Sequence, residues 1–282
     1  MPTLAVLTTI AELRAQVEVW RKAGHRVGFV PTMGALHRGH LALVAEAAKR
    51  ADKVIVSIFV NPAQFAPHED FDRYPRTFDA DAAQLAAQGA ADAIYAPANA
   101  EMYPEGFATR LQVGGPSAGL ETDFRPHFFS GVATVVSKLF LQVRPDIAVF
   151  GEKDYQQLQV VKRMAHDLDL PVEIIGAQTV REDDGLALSS RNAYLTPTQR
   201  QIAAHLNRVL REAGVRARAG VSIPQAEAEA AATLLNAGFD RVDYVAIRDA
   251  KSLGQISTLP AEARILAATW LDKTRLIDNM AI

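Results

Sequence analysis

The sequence predicts an α/β protein, an open parallel sheet with packed helices followed by a smaller α+β unit. Short apolar runs alternate with stretches whose apolar residues recur at helical spacing, from Val27 to Gly176. The run Lys53-Val54-Ile55-Val56-Ser57-Ile58-Phe59-Val60 is nearly continuous and rich in β-branched residues, as expected for a strand covered on both faces. Beyond Thr196-Pro197 the order changes, with helical patterns first and strand-like runs at 242–247, 265–271 and 274–277 after them.

Taken in order, Thr9-Ile10-Ala11-Glu12 has capping-box spacing, and Ile10, Leu13, Val17 and Trp20 trace one helical face. Val27-Gly28-Phe29-Val30 reads as a buried strand. Leu41, Val44, Ala45 and Ala48 give the next helix, and the run at 53–60 closes a βαβ unit. An acidic stretch with His68, Glu69, Asp70 and Asp72 leads to a helix that Thr77 can cap, and 92–96 reads as a further strand. Residues 97–131 are dense in proline and glycine and read as a long loop, either a lid or a specialised insert, that covers or borders the site. Val132, Val135, Val136, Leu139, Phe140 and Val143 mark a helix that stops near Pro145, and the runs at 146–150 and 172–176 complete the parallel series. The domain boundary is expected near residue 180, giving domains at 1–180 and 181–282.

The chain has 282 residues, 49% hydrophobic and 22% charged, enough to build two cores. A formal net charge of −2 provides no broad basic field. Nucleic acid and anionic membrane are therefore poor partners and small molecules are favoured. The absence of cysteine removes disulfides, thiolate metal sites and a cysteine nucleophile. No apolar run approaches the roughly 20 residues that span a bilayer. The N-terminal stretch lacks the basic start and long apolar core of a signal peptide, so a cytoplasmic protein is expected.

The chemistry gathers at strand-to-helix corners. Pro31-Thr32-Met33-Gly34-Ala35-Leu36-His37-Arg38-Gly39-His40 joins the first of these strands to a helix start. Unpaired backbone N–H groups and the helix dipole there attract phosphate, and two imidazoles can add donors or charge. A tight turn with satisfied histidines is the competing reading, and half of a metal site is a weaker one because further ligands at suitable spacing are missing. At the second corner, Gly151-Glu152-Lys153-Asp154-Tyr155-Gln156-Gln157, Lys153 and Gln157 share a side if the helix has begun. A lysine at a helix start is favoured by a nearby anion, although a solvated surface lysine fits the pattern equally. In Asn61-Pro62-Ala63-Gln64-Phe65, at the carboxyl end of a strand, Gln64 is a candidate substrate contact, although the segment alone fits an ordinary polar loop residue better. Asp81 and Gln84 share a helix face, where they can reach a hydrated magnesium or simply be solvated. Ser189, Ser190 and Arg191 offer hydroxyl donors and a fork suited to phosphate oxygens, although Ser-Ser-Arg taken singly is too common to signify.

These segments in this order, with Tyr74–Thr77, Gly115–Ser117 and the stretch at 180–192, closely resemble the pantothenate synthetase (pantoate:β-alanine ligase) family over essentially the whole length. The resemblance implies a class I, HxGH-type nucleotidyltransferase domain of Rossmann-like architecture, a C-terminal lid domain and a homodimer. It implies ATP as substrate with Mg2+, and pantoate and β-alanine joined through a pantoyl adenylate, with AMP and pyrophosphate released. It matches Met33, Gly34, Ala35, Leu36, His37, Arg38, Gly39 and His40 to the ATP-binding turn, with His40 as proton donor and His37 as the second phosphate-contacting imidazole. Gly151, Glu152, Lys153 and Asp154 would hold nucleotide, Lys153 on the α-phosphate, together with Val180, Leu188, Ser189, Ser190 and Arg191. Gln64 and Gln157 would orient pantoate, Gln64 also meeting β-alanine, and Asp81 and Gln84 match positions linked to magnesium. The chain departs from the family's pattern at Phe128, where a histidine is frequent, and at Ala63 and Leu188, where methionines are frequent.

Overall fold

The computed structural model describes residues 4–66, 69 and 71–282. Residues 1–3 of the N-terminal stretch, and His68 and Asp70 of the acidic one, lie outside the described residues. The chain divides into two compact units, one of residues 1–113, 125–152 and 160–178, the other of 114–124, 153–159 and 179–282.

The first unit is built on a six-stranded sheet of order β1-β4-β3-β2-β5-β6. Its strands are β1 (Ala5–Leu7), β2 (Val27–Thr32), β3 (Lys53–Ile58), β4 (Ala93–Tyr95), β5 (Ile147–Gly151) and β6 (Glu173–Ala177), and every pairing is parallel. The helices between them are α1 (Ile10–Lys22), α2 (Arg38–Ala48), α3 (Phe78–Gln88), α4 (Asn99–Met102), α5 (Glu121–Phe124), α6 (Phe128–Val143) and α7 (Tyr155–Asp167). Of these, α5 and the first residues of α7 belong to the second unit. The expected capping box starts α1: Thr9 accepts from the Glu12 N–H at 3.2 Å and Glu12 accepts from the Thr9 N–H at 3.1 Å.

Because both faces of a parallel sheet are covered, its strands are apolar on both sides. Val30, Val54, Val56, Ile94, Ile147 and Val149 pack with Val44, Ala47 and Leu85 on one face. Phe29 and Phe150 of the sheet meet Phe140 of α6 edge-on, at 6.4 and 6.3 Å between ring centres.

The strand order reverses at β2. From it the chain builds outward through β3 and β4, then crosses back to lay β5 on its other side, with Phe29 opposite Ala148. The carboxyl ends of β2 and β5 therefore adjoin at the topological switch point of the sheet, where open α/β folds leave a crevice for ligands. Both chemistry-bearing corners of the sequence begin at these two strand ends.

The second unit holds α8 (Pro197–Ala203), α9 (His205–Arg218) and α10 (Ile223–Asn236), then β7 (Arg241–Asp249), β8 (Ala263–Leu271) and β9 (Thr274–Ala281), an antiparallel sheet in that order. Leu206, Val209 and Leu210 of α9, Ala226 and Leu234 of α10, and Ile247, Ile265 and Leu276 of the sheet form its core.

Two features depart from the expected layout. The edge strand β1 is only three residues long, too short for its alternation to show. The breaker-rich stretch 97–131 is not one loop: it folds into α4, a 3₁₀ turn at Gly115–Ser117, α5 and the start of α6. Within the second unit, Gln156 Nε2 donates to the carbonyls of Pro116 (3.0 Å) and Gly119 (3.1 Å), and Glu121 forms a two-pronged ion pair with Arg275.

Candidate active site

The first corner lies wholly within the parallel-sheet unit. Gly34 and Ala35 both adopt positive φ, 81° and 51°, which turns successive N–H groups to one side. A carboxylate fills the concavity: Asp81, at 1% exposure, accepts from the N–H of Ala35 (2.9 Å) and of Leu36 (2.8 Å), and from the Thr77 hydroxyl at 3.3 Å. A Cβ on Gly34 would sit 3.1 Å from Asp81 Oδ2. Gln84, one turn along α3, donates to the Leu36 carbonyl at 3.4 Å, while Thr32 Oγ1 takes the Gly34 N–H at 3.2 Å and donates to the Ser57 carbonyl at 2.7 Å.

Asp81 and Gln84 therefore both reach the 34–36 turn, Asp81 buried and Gln84 half-buried. The turn's N–H groups, expected to stand unpaired for phosphate, are taken by side chains of the protein. A strong acceptor with fixed geometry outcompetes water for those donors, and the result is a rigid corner.

The histidines complete it. His37 Nδ1 accepts from the Gly39 N–H at 3.1 Å, and His40 Nδ1 accepts from the His37 N–H at 3.3 Å, a capping box for α2 made of two imidazoles. Their rings stack with centres 4.1 Å apart. A ring nitrogen that accepts cannot also carry a proton, so each neutral ring holds its hydrogen on Nε2. The cap thereby turns both rings into Nε2–H donors at the start of a helix, where the dipole favours an anion.

After β3, Asn61 begins a 3₁₀ turn, Pro62–Gln64, by accepting the Ala63 N–H at 3.2 Å. Gln64 is buried, at 7% exposure. The start of α6 presses on this turn: a Cβ on Gly131 would lie 2.2 Å from the Ala63 carbonyl oxygen, so only glycine fits. Arg125 donates to the Gln64 carbonyl at 3.2 Å and to Glu69 at 2.7 Å. Burial opposes ionisation of Glu69, but the hydrogen bond and charge of Arg125 outweigh it and hold the carboxyl below its ordinary value.

Gly151 ends β5 and the chain continues through a 3₁₀ turn, Glu152–Asp154, before α7 begins at Tyr155. Lys153 thus precedes the helix, so the four-residue spacing to Gln157 is not one turn of a regular α-helix. Lys153 and Gln157 belong to the second unit. There the Asn279 amide donates to the Lys153 carbonyl at 2.8 Å, Arg264 Nε holds the Asn279 oxygen at 2.7 Å, and the Arg264 guanidinium lies 3.7 Å over the Tyr155 ring. The Lys153 side chain is half-buried, with its ammonium 4.0 Å from Asp154.

Val180, Leu188, Ser189, Ser190 and Arg191 come together in the same unit. The Leu188 N–H donates to the Val180 carbonyl at 3.0 Å across a tight turn. Arg181, the next residue, pairs through two nitrogens with buried Asp278, at 2.8 and 2.9 Å. Ser189 caps the 3₁₀ turn Ser190–Tyr194 by accepting the Arg191 N–H at 3.3 Å.

Asn61 and Asn279, which hold the turns bearing Gln64 and Lys153, are not singled out by the sequence. Only Asn61 carries a local signal, an asparagine before proline opening a turn; Asn279 reaches its partner over a long separation.

The chain is similar over essentially its whole length to known proteins of one family. The chain is 56% identical to a pantothenate synthetase of Caulobacter vibrioides, covering 100% of both chains. It is also 56% identical to one of Mesorhizobium japonicum, over 98% of this chain and 97% of the relative. A crystal structure of pantothenate synthetase from Thermus thermophilus superposes with a TM-score of 0.91 at 50% identity, over 98% of this chain and 99% of that one. That of pantoate-beta-alanine ligase from Francisella tularensis, complexed with beta-gamma ATP and beta-alanine, superposes with a TM-score of 0.83 at 34% identity, over 99% and 97%. A family model described as Pantoate-beta-alanine ligase matches residues 5–281, and the chain belongs to that family.

Proposed function

We propose that the reaction runs in two steps at the carboxyl end of the parallel sheet. As a family member the chain condenses pantoate with β-alanine using ATP. In the first step a pantoate carboxylate oxygen attacks the α-phosphorus, the bond to the bridging oxygen breaks, and pyrophosphate leaves. In the second, the β-alanine amine attacks the acyl carbon of pantoyl adenylate, the acyl–oxygen bond breaks, and AMP and a proton are released. The observation that carries this reading is the adjacency of the β2 and β5 ends at the switch point, each running into a corner with polar or cationic side chains.

The roles follow from the chemistry of each group. Charge develops on the phosphate oxygens as the carboxylate attacks, and fixed donors lower that barrier without a covalent enzyme intermediate. His37 and His40 supply Nε2–H groups to the phosphates, His40 as proton donor to the departing oxygen, and Lys153 supplies charge to the α-phosphate. Met33, Gly34, Arg38, Gly39, Gly151, Glu152 and Asp154 shape the nucleotide site. Ala35 and Leu36 contribute shape and not N–H donors. Val180, Leu188, Ser189, Ser190 and Arg191 belong to the 181–282 lid and its hinge, the 1–180 domain binding ATP and pantoate. Closure excludes water from an adenylate that would otherwise hydrolyse. Gln64 and Gln157 bind pantoate by neutral hydrogen bonds, which leave its carboxylate nucleophilic.

A magnesium at the matched positions would share Asp81 with the turn, whose Ala35 and Leu36 N–H groups bind its two oxygens, and would meet Gln84 through its amide oxygen, the nitrogen being used on the Leu36 carbonyl. We assign Asp81 to holding the corner. Two copies of the chain form the homodimer implied by the family resemblance, in the cytoplasm; among the described residues no helix is long and apolar enough to cross a membrane.

The test is incubation with ATP, pantoate and β-alanine. β-Alanine-dependent AMP formation is expected. AMP release that ignores β-alanine, or a stable nucleotidylated product, overturns the reading.

A further inference from the structure

We infer that Tyr103 is a positioning residue for pantoate, acting through Asn61 to lock the Gln64 amide with its oxygen turned inward and its NH2 presented to the substrate. The inference rests on the proposed contact between Gln64 and pantoate.

The polarity of the lock is set by backbone groups. The Asn61 amide lies between an N–H that can only donate, that of Ala63 at 3.2 Å, and a carbonyl that can only accept, that of Gly131 at 3.2 Å. Its oxygen must face Ala63 and its nitrogen Gly131. That nitrogen also donates to Gln64 Oε1 at 2.8 Å, so the Gln64 oxygen must face Asn61. Gln64 Nε2 makes no hydrogen bond among the described residues. Asn61 is 1% exposed and Gln64 7%, so water does not compete for the inner bonds.

Tyr103 closes the chain of donors. Its hydroxyl donates to Asn61 Oδ1 at 2.7 Å, the shortest bond in the group. Burial pushes the phenol up to about 12, so it stays protonated and remains a donor throughout the neutral range. Its ring is wedged between Phe59, at 6.2 Å, and Phe107, at 5.1 Å between centres. Donation thus runs one way, from Tyr103 to Asn61 to Gln64. The Gln64 amide that emerges offers protons to a ligand oxygen, and pantoate carries such oxygens in its hydroxyl and carboxylate groups. Unlocked, the amide can turn its oxygen outward as readily as its nitrogen, and part of the population would face pantoate with the wrong polarity.

The experiment is steady-state kinetics on Tyr103→Phe, Gln64→Ala and the double variant, with KM measured for pantoate and for ATP. Tyr103→Phe is expected to raise the pantoate KM about 3- to 10-fold, the worth of one weakened hydrogen bond, with the ATP KM unchanged. Gln64→Ala is expected to raise it further. In the Gln64→Ala background the Tyr103 change should have no added effect on the pantoate KM, because there is no amide left to orient. Equal rises for both substrates, or additive effects in the cycle, would mean that Tyr103 acts by general packing and overturns the inference. An unchanged pantoate KM in Tyr103→Phe while Gln64→Ala raises it also overturns the lock and leaves the Gln64 contact standing. An unchanged pantoate KM in Gln64→Ala removes that contact and the lock with it.

Discussion

The Asp81 carboxylate sits 2.9 Å from the backbone nitrogen of Ala35, forty-six positions earlier in the chain, and occupies the donor concavity that the left-handed turn creates. The same carboxylate takes the Leu36 N–H at 2.8 Å. Asp81→Asn keeps the size but replaces one acceptor with a donor that confronts an N–H. A loss of about 1–3 kcal/mol in stability is expected from the unsatisfied pair. The ATP KM should rise as the corner loosens. Denaturant unfolding and ATP titration check both effects. If Asp81 holds the turn and not a metal, Mg2+ added without ATP leaves the unfolding midpoint of the unsubstituted protein unchanged.

The imidazole capping box separates structural from chemical loss at one position. His37→Asn retains a side-chain acceptor for the Gly39 N–H, and asparagine is among the best helix caps. Stability should therefore change by less than about 1 kcal/mol. The ring's Nε2–H is gone, so turnover should fall by at least about tenfold, as for a lost transition-state donor. His40→Ala should likewise cost far more turnover than stability. Nitrogen-15 spectra of the neutral protein should show both rings protonated on Nε2; protonation on Nδ1 would contradict the cap.

Local order in the sequence explains what could be read there. The α1 capping box, the β-branched run of β3 and the glycine-bearing corners after β2 and β5 are each set by neighbours a few residues apart, and each appears where the pattern placed it. Asp81 was less legible because its spacing to Gln84 is what any solvated helix face shows. Its partners at 35 and 36 are brought to it only by packing α3 beside the β2–α2 corner. Asn279 and Tyr103 act across 126 and 42 positions, and nothing near either marks it. The stretch 97–131 has the pattern of a loop because the helices α4 and α5 within it are four residues long, too short for a periodic signal.

Glu69 gives a pH dependence of known sign. Its carboxyl is depressed below the ordinary value of 4.5 despite burial, because Arg125 binds the charged form. A depressed carboxyl contributes stability that is fully present above that ordinary value and is lost as pH falls through the folded one. Glu69→Gln should destabilise the protein at neutral pH by about 1–3 kcal/mol, the cost of a charge-assisted bond. The difference between the two proteins should shrink as pH falls below 4.5. Thermal unfolding from neutral to acid pH checks this; a constant difference would show that packing, and not the charge, is responsible.

Asn279 links the last strand of the antiparallel sheet to the turn that carries Lys153. It donates to the Lys153 carbonyl and is itself held through its oxygen by Arg264. Asn279→Asp keeps an acceptor for Arg264 but removes the donor and sets a carboxylate oxygen against the carbonyl. The expected loss is specific: the turn Glu152–Asp154 loosens while the second unit's core, built from Leu206, Leu210 and Ile265, stays packed. Amide hydrogen exchange should quicken at 153–155 and remain slow along β8. Because a cation must be held in place to stabilise developing charge, kcat should fall about tenfold, the effect of one lost bond of about 1.4 kcal/mol on the barrier. Exchange at 153–155 that matches the unsubstituted protein, with kcat reduced, would locate the defect elsewhere. Slow exchange with full activity would show that the turn does not depend on this amide.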